Sequence, residues 1–91
     1  MITAIVLITT AVDAVPETAQ QLADLDGVAE VYSVAGDVDL IAMVRVRRHE
    51  DLAEVIADRI GKVDGVAATT THIAFRAYSE HDLDAAFDLG T

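Results

Sequence analysis

A pattern of residues in the first half of the chain recurs in the second half, 38 residues further on. The clearest match is the tetrapeptide Asp-Gly-Val-Ala at residues 26–29, which is repeated unchanged at residues 64–67. A chain of 91 residues is too short for two independent domains, so the repeat predicts two similar supersecondary units within one domain. The same offset relates Ala4, Ile5 and Val6 to Ala42, Met43 and Val44, Leu22 and Leu25 to Ile60 and Val63, and Asp13 to Asp51.

Each half begins with a run of branched apolar residues that is typical of a buried strand, at residues 2–9 and 40–46. A helix is predicted next in each half, because apolar residues then recur at spacings of three and four. Gly27 and Gly65 suit the left-handed position after a helix, and second strands follow at residues 28–35 and 66–78. The apolar stripes consist of Val15, Ala19, Leu22 and Ala23 in the first half, and of Leu52, Val55, Ile56, Ile60 and Val63 in the second.

Residues 35–39, Ala-Gly-Asp-Val-Asp, join the two halves and lie between two strand patterns, which predicts a hairpin. The element order is then strand, helix, strand, strand, helix, strand. This order is typical of an α+β fold of the ferredoxin-like βαββαβ type, with a four-stranded antiparallel sheet and both helices on one face. We assign residues 1–78 to this domain and residues 79–91 to a tail that forms a short helix, with Ser79 and Asp82 as a capping box.

The predicted central strands are apolar on both faces, because residues 2–9 and 40–46 carry apolar side chains at odd and even positions alike. Helices on one face would leave the other face exposed, with an apolar patch on the order of several hundred Å². Hydrophobic residues also make up 53% of the chain, which is high for a domain with so much surface. We therefore expect a homodimer in which two sheets pack face to face, a dimeric α+β barrel.

Charge and composition exclude several classes of partner. Sixteen acidic residues against six Lys and Arg give a formal net charge of −10, which repels nucleic acids and anionic membrane surfaces. The chain has no cysteine, so it can form neither a disulfide nor a thiolate site. The apolar N-terminal run is short, has no basic residue before it and is closely followed by Asp13, which indicates a strand rather than a signal or membrane-spanning segment. We expect a cytoplasmic protein.

The three histidines form no catalytic or metal-binding pattern. No two of His49, His72 and His81 are three or four residues apart, so we predict no metal site, and nothing in the sequence indicates a cofactor. His72 on the last predicted strand is the histidine best placed to act as a general base, but a polar strand residue is the simpler interpretation. We therefore predict no catalytic residues.

Three segments together resemble the effector-binding (RAM) domain of Lrp/AsnC-type transcriptional regulators. They are residues 25–32, the Gly-x-x-Asp hairpin within residues 35–41, and residues 63–66 leading to the threonines of the last strand. The resemblance covers residues 2–78 and implies dimers formed through the sheets, higher assemblies such as octamers, and an amino acid or related effector bound between dimers. The ligand-binding residues that it implies are Gly36, Asp37, Asp39, Thr69 and Thr71.

The family's regulators carry a DNA-binding helix-turn-helix before this domain, and the present sequence holds no residues that match it. We therefore expect a stand-alone effector domain that does not bind DNA directly. Such a domain would act on transcription through partners, for example a full-length Lrp/AsnC-type regulator.

The residue types at the hairpin support a ligand site on physical grounds as well. A glycine lets the backbone approach a ligand, an aspartate can accept from an α-ammonium group, and threonine hydroxyls can hold a carboxylate. The alternative is structural, in that Gly36 makes the turn and Asp39 satisfies it. Two other functions also remain open: an enzyme of the dimeric α+β barrel class, such as a cofactor-free monooxygenase or isomerase, and an assembly module with no ligand.

Overall fold

The computed structural model describes residues 1–11 and 13–78. The first half comprises β1 (Ile2–Thr10), α1 (Val15–Ala23) and β2 (Val28–Ser33), and the second half begins with β3 (Leu40–Val46). Next comes α2 (His49–Ala53), which continues through a π-helical segment (Glu54–Arg59) and a 3₁₀ turn (Ile60–Lys62) to β4 (Val66–Ala74). The predicted element order is confirmed, while the predicted tail helix lies outside the described residues. Within those residues, no helix is long and apolar enough to cross a membrane.

The strands form one antiparallel sheet in the order β2-β3-β1-β4. On one side β1 pairs with β3, from Ile2 opposite Val46 to Ile8 opposite Leu40. On its other side β1 pairs with β4, beginning with Thr3 opposite Ala74. The two strands that are apolar on both faces are therefore the central ones. This is the ferredoxin-like α+β arrangement that the sequence predicts.

The core lies between the sheet and the helices. Alternate residues of β1 and β3 are buried, whereas their neighbours point to the other face and remain partly accessible. Apolar side chains of both helices belong to the same buried cluster, so both helices cover the same face. The buried apolar residues are Ala4, Val6, Ile8, Leu22, Leu40, Ala42, Val44, Val46, Leu52, Val55 and Ile60.

The two halves interlock at the glycines of the repeated tetrapeptide. Gly27 follows α1 with φ +92°, and a Cβ added there would lie 2.5 Å from Cγ2 of Val55 in the second half. Gly65 follows the second helix with φ +97°, and a Cβ there would overlap the Thr18 hydroxyl of α1. Each half thus packs its helix against the helix-ending turn of the other, which explains why the same tetrapeptide occurs in both.

Two strands end earlier than the sequence predicts, because their pairing partners run out. We predicted that the second strand extends to residue 35, but β2 ends at Ser33, which already lies opposite Leu40, the first residue of β3. The last strand was expected to reach residue 78, but β4 ends at Ala74 opposite Thr3, where only one residue of β1 remains. Periodicity alone does not indicate where a partner strand begins.

The predicted apolar stripe of α1 is wrong at one position. Ala23 is exposed, whereas Thr18 is almost fully buried. Thr18 can pack inside because Gly65 leaves space for its side chain, a contact between residues far apart in sequence. The stripe predicted for the second helix is confirmed, since all of its members are buried or half-buried.

The face of the sheet that carries no helix, here called the open face, is apolar at its centre. Two cross-strand pairs form this centre, Ile5 with Met43 and Leu7 with Ile41, and all four side chains are half-buried. Tyr32 of β2 lies opposite Ile41 and is 49% exposed. The predicted apolar character of both sheet faces is therefore confirmed in the folded chain.

Candidate functional site

The predicted ligand-binding glycine lies in the hairpin between β2 and β3. Gly36 is exposed and has φ +140°, a conformation that favours glycine. The hairpin is closed by a hydrogen bond from the Val34 amide to the Asp39 carbonyl, at 3.1 Å. A second backbone bond, of 3.0 Å, joins the Asp39 amide to the Ile8 carbonyl and ties the hairpin to β1. The loop is therefore anchored at the end of a central strand.

The side chain of Asp39 strengthens this anchor. Its Oδ2 atom accepts a hydrogen bond of 2.8 Å from the Thr10 amide and one of 3.2 Å from the Thr10 hydroxyl. Asp39 therefore does have a structural role at the hairpin, which was the alternative to ligand binding. One oxygen of this half-buried carboxylate therefore stabilises the fold, and the other, Oδ1, has no hydrogen-bond partner among the described residues.

The two predicted threonines lie on β4, across β1 from the hairpin. Thr69 is opposite Ile8, whose other neighbour is Leu40, the residue after Asp39. The backbone of Thr69 is therefore two strand spacings from the hairpin, about 10 Å. Thr71 lies opposite Val6, two residues further along the strand. Both threonines share the sheet face of Val6 and Ile8, which is the face that carries the helices.

The structure thus brings the predicted residues to one end of the sheet but does not join them in a closed pocket. Asp37 is exposed at the tip of the hairpin, Thr69 is exposed on β4, and Thr71 is half-buried. Among the described residues, no hydrogen bond links either threonine to the hairpin. The arrangement offers carboxylates on one side of β1 and hydroxyls on the other.

Sequence reasoning missed Thr10 as part of this site. We predicted that the first strand ends at residue 9, whereas β1 includes Thr10, whose amide and hydroxyl both donate to Asp39. The available signal was a hydroxyl residue at the end of an apolar run. Nothing local indicates a carboxylate partner that lies 29 residues away.

His72 lies on the last strand, as the sequence predicts, whereas His49 lies on a helix and not in the sheet. His49 begins α2, and His72 is exposed on β4 opposite Ile5, on the open face. His81 lies outside the described residues. Across residues 1–11 and 13–78, no three His, Asp or Glu side chains converge in a way that could hold a metal ion.

Comparison with known proteins relates this fold and hairpin to a regulator family. The family model of the Lrp/AsnC ligand binding domain matches residues 3–84 of the chain. The chain belongs to this family. The Lrp/AsnC resemblance of the hairpin and the last strand is thereby confirmed at the level of the whole domain.

Relatives with curated names are Lrp/AsnC-type transcriptional regulators. An uncharacterised HTH-type transcriptional regulator of Pyrococcus horikoshii, PH1916, is 36% identical over 64 residues, which are 70% of this chain and 43% of that protein. The HTH-type regulator LrpA of the same organism is 42% identical over 50 residues, which are 55% of this chain and 36% of LrpA. The chain thus spans less than half the length of these relatives.

Solved structures give the same result. The crystal structure of TTHA0845 from Thermus thermophilus has a TM-score of 0.82 and 45% identity, covering 88% of this chain and all of the other. A feast or famine regulatory protein from M. tuberculosis, complexed with L-methionine, has a TM-score of 0.67 and 29% identity, covering 88% of this chain and 54% of the other. The Lrp/AsnC ligand-binding fold therefore extends over nearly the whole chain.

Proposed function

We propose that this Lrp/AsnC chain binds a small amino-acid-like effector at the hairpin end of its sheet and transmits the binding through its assembly. The observation that carries the proposal is the anchored Gly36–Asp39 loop. Asp39 is fixed by Thr10 through Oδ2, and its Oδ1 accepts no hydrogen bond from the described residues. A fixed carboxylate needs little ordering when a cation arrives, which favours binding.

The chemistry at this end of the sheet suits an amino acid. The carboxylates of Asp37 and Asp39 can accept hydrogen bonds from an α-ammonium group, and the hydroxyls of Thr69 and Thr71 can donate to an α-carboxylate. The complex of the M. tuberculosis relative with L-methionine supports an amino acid as the effector class. Because hairpin and threonines are about 10 Å apart across β1, residues of a second copy would complete the site.

Assembly is the second part of the proposal. The open face presents the apolar pairs Ile5 with Met43 and Leu7 with Ile41, which a second copy of the chain would cover to form a homodimer. Further association of dimers, up to rings such as octamers, would place hairpins at interfaces where an effector can alter packing. An effector that binds one assembly better than another shifts the equilibrium between them.

The chain would affect transcription through a partner protein rather than by binding DNA itself. The net charge of −10 disfavours direct contact with DNA phosphates, so the chain would act through a partner such as a full-length Lrp/AsnC regulator that shares its sheet interface. A regulator of transcription works in the compartment that holds the DNA, so we propose that the protein is cytoplasmic. A non-catalytic role is supported by the relatives, which are transcriptional regulators.

The proposal is tested by thermal shift with each of the twenty amino acids. An amino acid present at about one hundred times its Kd should stabilise the fold by about 2.7 kcal/mol. Asp39→Asn retains an oxygen that can accept from the Thr10 amide but removes the charge that an ammonium group needs. We expect this variant to fold and to bind the effector about ten- to a hundredfold more weakly.

Asp58→Asn is the matched control, because Asp58 is exposed on the second helix and loses the same charge. This control should respond to the effector as the wild type does. The proposed function is wrong if no amino acid shifts the melting temperature, or if Asp39→Asn and Asp58→Asn bind the effector equally well.

A further inference from the structure

Among the described residues, His72 is the histidine that lies on the open face. It is on β4 opposite Ile5, which in turn lies opposite Met43, so the three side chains form one row across the sheet. The imidazole is exposed and makes no hydrogen bond or ion pair with the described residues. A titratable group therefore lies directly beside the apolar centre of the open face.

The side chains that surround His72 on this face carry no charge. Those on its own strand and on the adjacent strand β1 are threonine hydroxyls or apolar groups. They are Thr3, Ile5, Leu7 and Thr9 on β1, and Ala68, Thr70 and Ala74 on β4. Neither strand therefore places a carboxylate on this face that could balance a positive charge on the imidazole.

The charged side chains of the open face lie further away. Arg45 on β3 is across β1 from His72 and two residues along the sheet, about 12 Å at ordinary strand spacing. Arg76 lies at the same end of the face as Arg45. Glu30 on β2 accepts hydrogen bonds from Arg45 at 2.7 Å and from the Tyr32 hydroxyl at 2.6 Å, so an arginine already balances its charge. The carboxylates of the hairpin are at the opposite end of the sheet. A proton on His72 thus adds an unbalanced positive charge to this face.

A second copy packed on the open face would change the surroundings of this imidazole. In a separate protomer His72 is exposed, so water solvates either form of the ring. Between two sheets the ring would lose water while its neighbour across the strand is the apolar Ile5. Loss of water disfavours the charged form of a side chain much more than the neutral form. The homodimer therefore favours neutral His72, and histidine is the side chain whose charge changes between pH 5 and 8.

We propose that protonation of His72 dissociates the sheet-to-sheet homodimer, so that mild acid controls the assembly of this chain. The inference rests on the homodimer of the proposed function and does not depend on which effector binds. Because the dimer favours the neutral ring, association releases protons, and the dimer is stable at high pH and is lost as pH falls. An effector site that needs residues of a second copy would then also weaken in mild acid.

The test is analytical ultracentrifugation of the full chain at pH 7.5 and pH 5.5, at one ionic strength. The Kd of the wild-type dimer should rise about ten- to a hundredfold at the lower pH, because each dimer contains two copies of His72. His72→Gln keeps a polar side chain but cannot be protonated, so its Kd should be the same at both pH values. His72→Lys carries a permanent charge and should weaken the dimer already at pH 7.5. Both variants should fold, because residue 72 is exposed.

His49→Gln is the matched control, because His49 is exposed at the start of α2, and the helices lie on the other face of the sheet. This variant should respond to pH as the wild type does. Acid also lowers the net charge of −10 and so reduces repulsion between copies, which favours association. Dissociation at pH 5.5 therefore runs against the general effect of charge and requires a specific group.

The outcomes separate this inference from the homodimer on which it rests. A wild-type chain that is a monomer at pH 7.5 overturns both. A wild-type dimer of equal stability at the two pH values leaves the homodimer and overturns the role of His72, as expected where a carboxylate of the second copy or of residues 79–91 meets the imidazole. The role of His72 is also overturned if His72→Gln dissociates in acid as the wild type does, or if His49→Gln removes the response.

Discussion

Gly65 shows how a single residue can decide the packing between the two halves. Its φ of +97° suits glycine, and a Cβ at this position would overlap the hydroxyl of buried Thr18. Its carbonyl also accepts a hydrogen bond of 2.7 Å from the Ala11 amide, just after β1. Backbone conformation, packing and hydrogen bonding therefore all depend on the same residue.

We predict that Gly65→Ala lowers the free energy of unfolding by about 2 kcal/mol or more, as measured by urea denaturation. About 1 kcal/mol comes from the positive φ, and overpacking against Thr18 contributes the rest. Gly36→Ala is the control, because Gly36 also has positive φ but has no neighbour within 4 Å of an added Cβ. This control should be destabilised less. Equal losses in the two variants would show that the contact with Thr18 is not what requires glycine at position 65.

At the scale of elements, an ionic contact joins the edge strand β2 to β3 on the open face. Glu30 accepts hydrogen bonds from the Tyr32 hydroxyl and from Arg45. Both donors stabilise the charged carboxylate and so hold the pKa of Glu30 below its ordinary value of 4.5. The hydrogen bond from the Tyr32 hydroxyl has the largest effect, and the one from Arg45 has the next largest. The reciprocal effect raises the pKa of Tyr32 above 10.0.

We predict that the pKa of Glu30, followed by NMR titration, rises towards 4.5 in Tyr32→Phe, which removes only the hydroxyl. Because the folded-state pKa is lowered, the stabilisation from Glu30 is fully present above its ordinary pKa and is lost as pH falls through the lowered value. The pH dependence of unfolding should therefore weaken in the variant. An unchanged Glu30 titration in Tyr32→Phe would mean that the tyrosine does not donate to the carboxylate in solution.

The elements themselves were predictable because the repeat and the apolar periodicity are local properties of the sequence. The position of Gly27 and Gly65 after two apolar stripes indicated where each helix ends, and both glycines have positive φ. What could not be predicted depends on partners distant in sequence. The end of β4 is set by the start of β1, the burial of Thr18 by Gly65, and the anchoring of Asp39 by Thr10.

The second helix shows another limit of periodicity. Its apolar stripe was predicted correctly, but the turn between Glu54 and Arg59 is π-helical rather than regular. The wider turn brings these side chains, five residues apart, into an ion pair of 2.9 Å. Arg59 also donates to the Asp26 carbonyl beside Gly27, at 2.8 Å. This hydrogen bond joins the second helix to the first half of the chain, and the local sequence pattern around Arg59 does not indicate it.

For the molecule as a whole, both faces of the sheet are apolar at the centre, but the helices cover only one of them in the described chain. Ala42 and Val44 of β3 are fully buried under the helices, whereas the adjacent Ile41 and Met43 lie on the open face. A strand that is apolar on both sides is typical of a sheet with both faces covered. Only one cover is present within the described chain, and the proposed homodimer would provide the other.

We predict that Leu7→Asp dissociates this dimer while leaving the protomer folded. Leu7 is half-buried on the open face opposite Ile41, so its aspartate would be solvated in the monomer but desolvated in the dimer. Analytical ultracentrifugation should find a dimer for the wild type at micromolar concentration and a monomer for Leu7→Asp, with the helical circular dichroism signal retained. Val44→Asp should instead unfold the chain, because the charge would lie in the core.

Ala57→Asp is the control for the added charge, since Ala57 is exposed on the helical side of the molecule, away from the open face. It should remain dimeric. A wild-type chain that sediments as a monomer at micromolar concentration would contradict the prediction, and so would a Leu7→Asp chain that remains a dimer. If Leu7→Asp and Ala57→Asp both dissociate the dimer, the cause is the added negative charge on a protein that already carries −10, and not the loss of an apolar contact between sheets.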